Sequence, residues 1–510
     1  MTEFLPELTA PVAAIYREAL ESHSWPKPYK KEFHIPISKV PSPQSEDDLR
    51  NLGLTPFFSK RLEWLLIQWI WPYISPHLDV DQLGGLPGCS VNHYLVQMLD
   101  FIHKKLDSGS NNRTAVLGCL VDFSKAFNRM DHNTLITILS DLNIPTCALK
   151  LIISYLSERK MCVRYQGETS SEQHIPGGGP QGGLLTVIFF DLQVNLAGFP
   201  CPLKTLLPEH VPKPVPQIIG PLPICHQPDR TLKKKYVDDL SLLEAIKLQS
   251  MLAPAPLAAH GPHNYHEQSG LVLPPENSVL QHQLCDLLSF TNHNKMKINM
   301  KKTKVIPFNP FTKYGFLPQL SFPGEAPLEV IYETRLLGVT LSCDLTWTAH
   351  IKDITNRSLK KLWILIRFKA LGATREQLLT VYTLRIRSTL EFACPVFHGS
   401  LTKDQSQRVE MIQKKAFAII LGQNYLSYEN ALITLSHERL DTRRESNCLN
   451  FALKCTKSDQ HSSMFPINTN FRENMRYVKK FLEPSCRTSR HFMSPIPYMT
   501  RLLNKNQEKQ

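Results

Sequence analysis

At 510 residues with 42% hydrophobic content, the chain is long enough to bury a large core and to hold more than one subdomain. Lys and Arg (58) outnumber Asp and Glu (45), giving a net charge of +13 and a pI near 9.1, which favours a polyanionic partner over a small acidic ligand. The 12 cysteines form no CxxC pair and no Cys/His grouping at zinc spacing, and no apolar run approaches the ~18 residues of a membrane span, so a disulfide framework, a zinc knuckle and a transmembrane segment are all excluded as expectations. The start Met1-Thr-Glu-Phe-Leu-Pro-Glu7 lacks the basic and apolar regions of a signal peptide, and the expectation is an intracellular protein of the nucleus or cytoplasm.

In chain order, residues 1 to about 110 mix short helical patterns with Pro-rich turns; Phe57-Phe58, Leu62, Leu65-Leu66 and Trp69 recur at helical spacing and read as core. The apolar run Ala115–Val121 reads as a buried strand ending in a carboxylate, Asp122. Asp131 is placed to cap a helix whose face is Leu135, Ile138, Leu139 and Leu142. Gly177–Gly183 is a turn feeding a helix with Leu184-Leu185, Ile188-Phe189, Leu192 and Leu196. Residues 199–229 are too rich in proline for a helix or a central strand and read as an irregular surface insertion, with a second soft stretch from about Ala253 to Asn277. Between them, Leu232–Val237 and Leu240–Leu243 read as two strands joined by a two-residue turn, Asp238-Asp239. A helical pattern at Gln281–Phe290 leads into the lysine-rich segment Asn294–Lys304. The stretches 350–372, 375–392 and 402–421 are amphipathic helices with Lys360, Lys361, Arg367, Arg385, Arg387, Lys414 and Lys415 opposite the apolar face, and a basic, less regular tail follows from about Arg439, with Arg443-Arg444, Lys479-Lys480, Arg487 and Arg490.

Adjacent carboxylates repel, and holding them at a hairpin tip calls for a compensating charge, most simply a divalent cation. With Asp122 on a neighbouring strand, Asp122 and Asp238 supply hard oxygen ligands suited to two Mg²⁺ ions, the arrangement that clamps the attacking and leaving oxygens of an in-line phosphoryl transfer.

The chain resembles the reverse transcriptase region of non-LTR retrotransposons, similar to the Jockey/CR1-like branch, and the likeness covers most of its length. It is carried, in order, by Ile35–Lys39, Leu49–Thr55, Gln82–Gly88, Val121–His132, Gly177–Gly182, Tyr236–Asp239, Asn299–Lys304, and Leu336–Val339 with Leu345–His350. The resemblance implies an α+β right-hand polymerase: N-terminal extension and fingers over 1–115, a palm with an antiparallel sheet and the Pro-rich insertion over 116–345, a helical thumb over 346–435, and a basic extension over 436–510. It implies RNA-directed DNA polymerase activity with an RNA template, a DNA primer, dNTPs and two Mg²⁺ ions, Mn²⁺ being an alternative, and other retroelement proteins as further partners. In that scheme Asp122, Asp238 and Asp239 hold the metals, and Lys302 protonates the leaving pyrophosphate. Phe127 stands against the sugar where a 2′-hydroxyl would clash, Gln181 contacts the nucleotide or template base, and Lys39 and Arg50 hold the triphosphate. His350 is expected to pack or cap and to bind no metal. Leu86 and Cys89 stand where the wider family often has arginines, and Asn128 where it has an aspartate. With the finger motifs beginning within about the first 40 residues, the sequence leaves no room for the endonuclease that usually precedes such a polymerase, and reads as a shortened copy lacking it. Three other readings remain open at this level: an RNA-binding remnant without catalysis; an RNA-dependent RNA polymerase, against which Phe127 argues; and a decayed genomic copy never made as protein, against which the open frame without stops argues.

Overall fold

The structure is a computed structural model that describes residues 5–79, 81–107, 114–124, 126–175, 177–180, 182–195, 230–237, 239–247, 278–308, 319–469 and 479–507. Helix α1 (Leu5–Ser22) opens the chain, followed by strands β1 (Lys31–Ser38) and β2 (Leu49–Leu54) and helices α2 (Phe57–Ile74) and α3 (Val91–Leu106). Strand β3 (Thr114–Asp122) precedes helices α4 (His132–Asp141) and α5 (Thr146–Leu156), the short strands β4 (Lys160–Tyr165), β5 (Glu168–Thr169) and β6 (Gln173–His174), and helix α6 (Leu184–Asn195). Next come β7 (Thr231–Tyr236), β8 (Asp239–Lys247), α7 (Val279–His293), β9 (Lys304–Phe308), β10 (Glu329–Val330) and the pair β11 (Glu333–Leu336) and β12 (Val339–Ser342). From α8 (Thr348–Ala370) and α9 (Arg375–Val381) onward, the described regular structure is helical.

The expected α+β class is observed. The palm sheet has the order β10-β9-β3-β8-β7, with β3 at its centre and antiparallel to both neighbours. Period-two alternation of β3 serves two cores at once: Leu117, Cys119 and Val121 face α6 and α7, while Val116 faces α3 and the C-terminal helices. A strand buried on both faces reads as a continuous apolar run, which is why its alternation is hidden in the sequence. A second sheet, β2-β1-β4-β5 with β6 on β4, lies beside a separate core formed by α2, α4, α5 and α6.

Local signals set several boundaries as expected. The Asp131 side chain accepts from Thr134 N and starts α4, and Thr374 and Thr402 form capping boxes with Gln377 and Gln405. Helix α8 and helix Lys403–Leu421 fall where the amphipathic pattern put them, whereas the 375–392 pattern is interrupted by a π-helical segment at Tyr382–Arg387.

Three expectations are corrected. On α2 the buried face is Leu62, Leu66, Ile70 and Ile74, while Phe57, Leu65 and Trp69 are exposed, because an 18-residue helix packed on one side can bury only one stripe. The tail is more regular than its sequence suggests: helices Leu440–Thr456 and Pro495–Gln507 join the core around α3, and Arg444 is fully buried against Ser406 Oγ at 2.9 Å, which removes it from any nucleic-acid surface. The turn of the acidic hairpin also lies one residue earlier than expected, since Tyr236 pairs with Asp239, which places Asp239 on strand β8. The Pro-rich insertion 199–229 and the stretch 253–277 lie outside the described residues. No helix among the described residues is long and apolar enough to cross a membrane.

Candidate active site

The site sits at one end of the palm sheet, where β3 and β8 stop together. Asp122 is the last residue of β3 and Asp239 the first of β8, and the two are direct cross-strand partners. Partners in register project to the same face, so the two carboxylates are brought side by side at a spacing set by the sheet rather than by a flexible loop. It is the face on which α3 packs, where Tyr94 OH donates to Ser241 Oγ at 2.6 Å two residues along β8. Asp238 lies outside the described residues.

Behind Asp122 stands the turn that precedes β9. Asn299 N donates to the Asp122 carbonyl at 2.7 Å, Asp122 N donates to Thr303 Oγ1 at 3.4 Å, and Thr303 Oγ1 donates to Asn299 O at 2.9 Å. The turn carries the mostly exposed side chain of Lys302 over the site, with Nζ 3.7 Å from Asp122 Oδ2. That Oδ2 is buried and accepts no hydrogen bond. A desolvated carboxylate oxygen without a donor is costly, and hard-cation coordination would relieve it. The donor set therefore fits Mg²⁺ or Mn²⁺, although among the described residues no group of three His, Cys, Asp or Glu side chains is assembled around one point.

Phe127, on a 3-10 turn just after β3, is half-buried and packs its ring on Phe190 of α6 at 5.1 Å. Its carbonyl accepts from Gly179 N at 3.0 Å, Met130 O accepts from Gly178 N at 3.0 Å, and His132 Nε2 donates to Gly178 O at 2.6 Å. The structure thus joins the Phe127 turn to the Gly-rich loop. Gln181, at the loop's centre, lies outside the described residues. Lys39 and Arg50 occupy the β1–β2 hairpin, where Lys39 N donates to Asp48 O at 2.7 Å and Arg50 is exposed opposite Ile37. Farther along β2, Gly53 O approaches the Gly-rich loop at Gly182, which puts Arg50 about 10 Å up the strand from that loop. His350 is fully buried; Thr340 N donates to its Nδ1 at 3.3 Å, and burial holds its pKa down at about 4, so it packs as expected.

Glu63 escapes the sequence reading. It lies on the buried side of α2 and accepts from Leu184 N at 2.7 Å and Leu185 N at 3.3 Å, so it caps α6 right after the Gly-rich loop. Burial raises its pKa, and those two N–H donors pull it back. A carboxylate at a helix N-terminus meets unpaired donors and the positive end of the dipole. The signal in the sequence is a lone acid between Leu62 and Leu66-Ile67 on an apolar face. At Cys89, where the resemblance led to the expectation of an arginine, the thiol lies 3.6 Å from His461 Nε2 and connects to the C-terminal region.

Residues 37–244 match the family model described as reverse transcriptase (RNA-dependent DNA polymerase). The chain is 23% identical over 419 residues to a probable RNA-directed DNA polymerase from transposon BS of Drosophila melanogaster, covering 80% of this chain and 40% of that one. It is likewise 23% identical over 418 residues to the RNA-directed DNA polymerase from mobile element jockey of the same organism, covering 81% and 40%. The chain spans about two fifths of the length of these curated relatives. Among solved structures, an apo telomerase from Candida tropicalis aligns over 63% of this chain and 55% of its own at 12% identity, with a TM-score of 0.35.

Proposed function

We infer that the chain, whose residues 37–244 match the reverse transcriptase family model and whose relatives include RNA-directed DNA polymerases of transposons, is an RNA-directed DNA polymerase of the non-LTR retrotransposon kind that extends a primer 3′-hydroxyl along an RNA template. The observation that carries this reading is the register of Asp122 against Asp239, two carboxylates fixed side by side at the end of the palm sheet, one with a buried oxygen that accepts no hydrogen bond. Asp122, Asp238 and Asp239 would hold the divalent cations. When bound, two Mg²⁺ ions supply Lewis-acid stabilisation of the charge on the attacking and leaving oxygens. The sheet presents the carboxylate oxygens already oriented, so little reorganisation is needed at the moment of reaction. Lys302, on the turn fastened to Asp122 by the Asn299 hydrogen bond, can deliver a proton to the leaving pyrophosphate. The Phe127 ring is backed by Phe190, a rigid wall suited to meeting the sugar of the incoming dNTP. Gln181 would contact the nucleotide or template base, and Lys39 and Arg50 the triphosphate.

The divisions at about residues 115, 345 and 435 separate fingers, palm, thumb and a C-terminal extension in this reading. The activity of the intact element, its other proteins and an intracellular site of action in nucleus or cytoplasm belong to the same proposal. The test is primer extension on poly(rA)/oligo(dT) with dTTP and Mg²⁺, beside an Asp238→Ala, Asp239→Ala variant. Extension by the natural sequence that disappears in the variant is expected; no extension, with RNA still bound in a salt-dependent way, would sink the reading.

A further inference from the structure

The outer edge of β7, which ends the palm sheet on the hairpin side, is covered by Asp79 and residues 81–85. Leu83 N donates to Lys235 O at 2.9 Å and Lys235 N to Asp81 O at 3.0 Å, so Gln82 bridges Lys235 as a one-residue parallel strand. Of the three consecutive lysines of β7, Lys234 and Lys235 point to opposite faces and are each taken by an acid of this segment: Lys234 Nζ lies 2.7 Å from Asp81 Oδ1, and Lys235 Nζ 3.1 Å from Asp79 Oδ2. Both lysines are buried, as are Gln82 and Leu83. Charges so desolvated are held only with paired partners, which fixes the register of the segment against the strand.

Two residues on, the segment passes beneath the turn of the hairpin. A Cβ on Gly84 would stand 2.6 Å from Val237 Cγ2 and 2.7 Å from the Tyr236 carbonyl carbon, and closer still to Val237 N. Val237 itself has φ 57°, a left-handed conformation that a β-branched side chain disfavours and that persists where the surroundings hold it. Gly85 is pressed on α6, where a Cβ would lie 2.7 Å from Asp191 Oδ2, and the Gln82 side-chain amide donates to Asp191 Oδ1 at 2.7 Å and to Gly84 O at 3.1 Å. The same short segment therefore touches both the catalytic hairpin and the helix that follows the Gly-rich loop.

We infer that Asp79 and Asp81–Gly85 form a positioning brace for the hairpin: their ion pairs with Lys234 and Lys235 lock them to β7, and Gly84 supports Val237, the residue that leads directly into Asp238 and Asp239. The brace rests on the reading of those aspartates as the metal-holding pair. Its residues touch no substrate; they act through the hairpin, and a brace differs from a mere cover for the sheet edge in what it does to the chemical step.

The test is single-nucleotide extension by the full chain on poly(rA)/oligo(dT) with dTTP and Mg²⁺, with template–primer binding and thermal unfolding measured on the same samples. Gly84→Ala is compared with Gly324→Ala, which places the same methyl at a glycine of φ 78° with nothing within 4 Å. Gly84→Ala is expected to lower kcat about 100-fold, the effect of a displacement near 1 Å at a reacting centre, with KM for dTTP and template–primer binding unchanged. Gly324→Ala is expected to keep kcat. A Gly84→Ala protein with the kcat of the natural sequence, or one whose loss only tracks its loss of folded protein, overturns the brace. If Gly84→Ala does not fold, Asp81→Asn decides, since it removes a charge without adding volume: a fall in kcat at unchanged KM supports the brace, and an unchanged kcat overturns it. A natural sequence that extends no primer overturns the polymerase reading, and the brace with it.

Discussion

Each candidate residue is a distinct physical device, and each makes its own prediction. Asp122→Asn keeps the shape of the β3 terminus but removes the charge a cation would bind; extension should fall below detection while the unfolding midpoint stays the same or rises, because a partly desolvated charge is removed. Lys302 is mostly exposed and reaches the site only through its long stem. Lys302→Ala should therefore lower kcat by about 10²–10⁴ if the ammonium delivers a proton, with KM for dNTP changed far less, as steady-state kinetics would read. Phe127→Ala removes one of the two rings packed on Phe190, the other being Phe123, and opens the wall beside the sugar, so the ratio of rUTP to dUTP incorporation should rise; an unchanged ratio would make Phe127 an ordinary packing residue.

Around the Gly-rich loop, buried polar contacts add to the apolar core of α2, α4, α5 and α6. Glu63 pairs two helix-start donors of α6, so Glu63→Ala should cost about 1–3 kcal/mol in urea unfolding, with Glu63→Gln losing less because one acceptor remains. Arg159 forms a fully buried pair with Glu32 at 2.8 Å, tying the end of α5 to β1. Removing one partner strands the other charge in the core, and Arg159→Met should cost about 3–5 kcal/mol. A loss under about 1 kcal/mol, in the range of surface pairs, would show that solvent reaches the pair. At the C-terminus, Asp107 accepts from Arg487 N, Thr488 N, Thr488 Oγ1 and His491 Nδ1. Burial raises the Asp107 pKa, but these donors outweigh it and bring it down to about 2. That contribution is present above about pH 4 and is lost as pH falls through about 2.

Across the whole molecule, buried histidines set the acid limit. Burial holds His93, His350 and His398 near pKa 4 and His103 near 3, against 6.5 when unfolded. The unfolded chain therefore binds more protons below pH 6.5, so stability should fall from pH 6.5 towards pH 4, by roughly 1.4 kcal/mol per pH unit for each histidine that titrates on unfolding. Urea midpoints at pH 7.5 and 5 would measure it, and equal midpoints would count against the burial of these rings. The two cores on either side of the palm sheet share β3, so these losses should appear in one cooperative transition for the palm.

Much of this was written in local pattern. The Asp131 cap, the Thr374 and Thr402 boxes, the apolar run into Asp122 and the acidic hairpin all depend on residues within a few positions of one another, where steric and hydrogen-bonding preferences act directly. The family likeness of ordered motifs carried the rest of the functional reading. Tertiary structure alone decided which carboxylates meet and what holds them, because a cross-strand register such as Asp122 with Asp239 joins residues more than a hundred positions apart. It alone showed Glu63 as the cap of α6, Arg444 as a core residue, and Lys234 and Lys235 of β7 as ion-paired to Asp81 and Asp79. A charged residue looks the same in sequence whether solvated or buried; its partner, supplied by a distant segment of the fold, determines which it is.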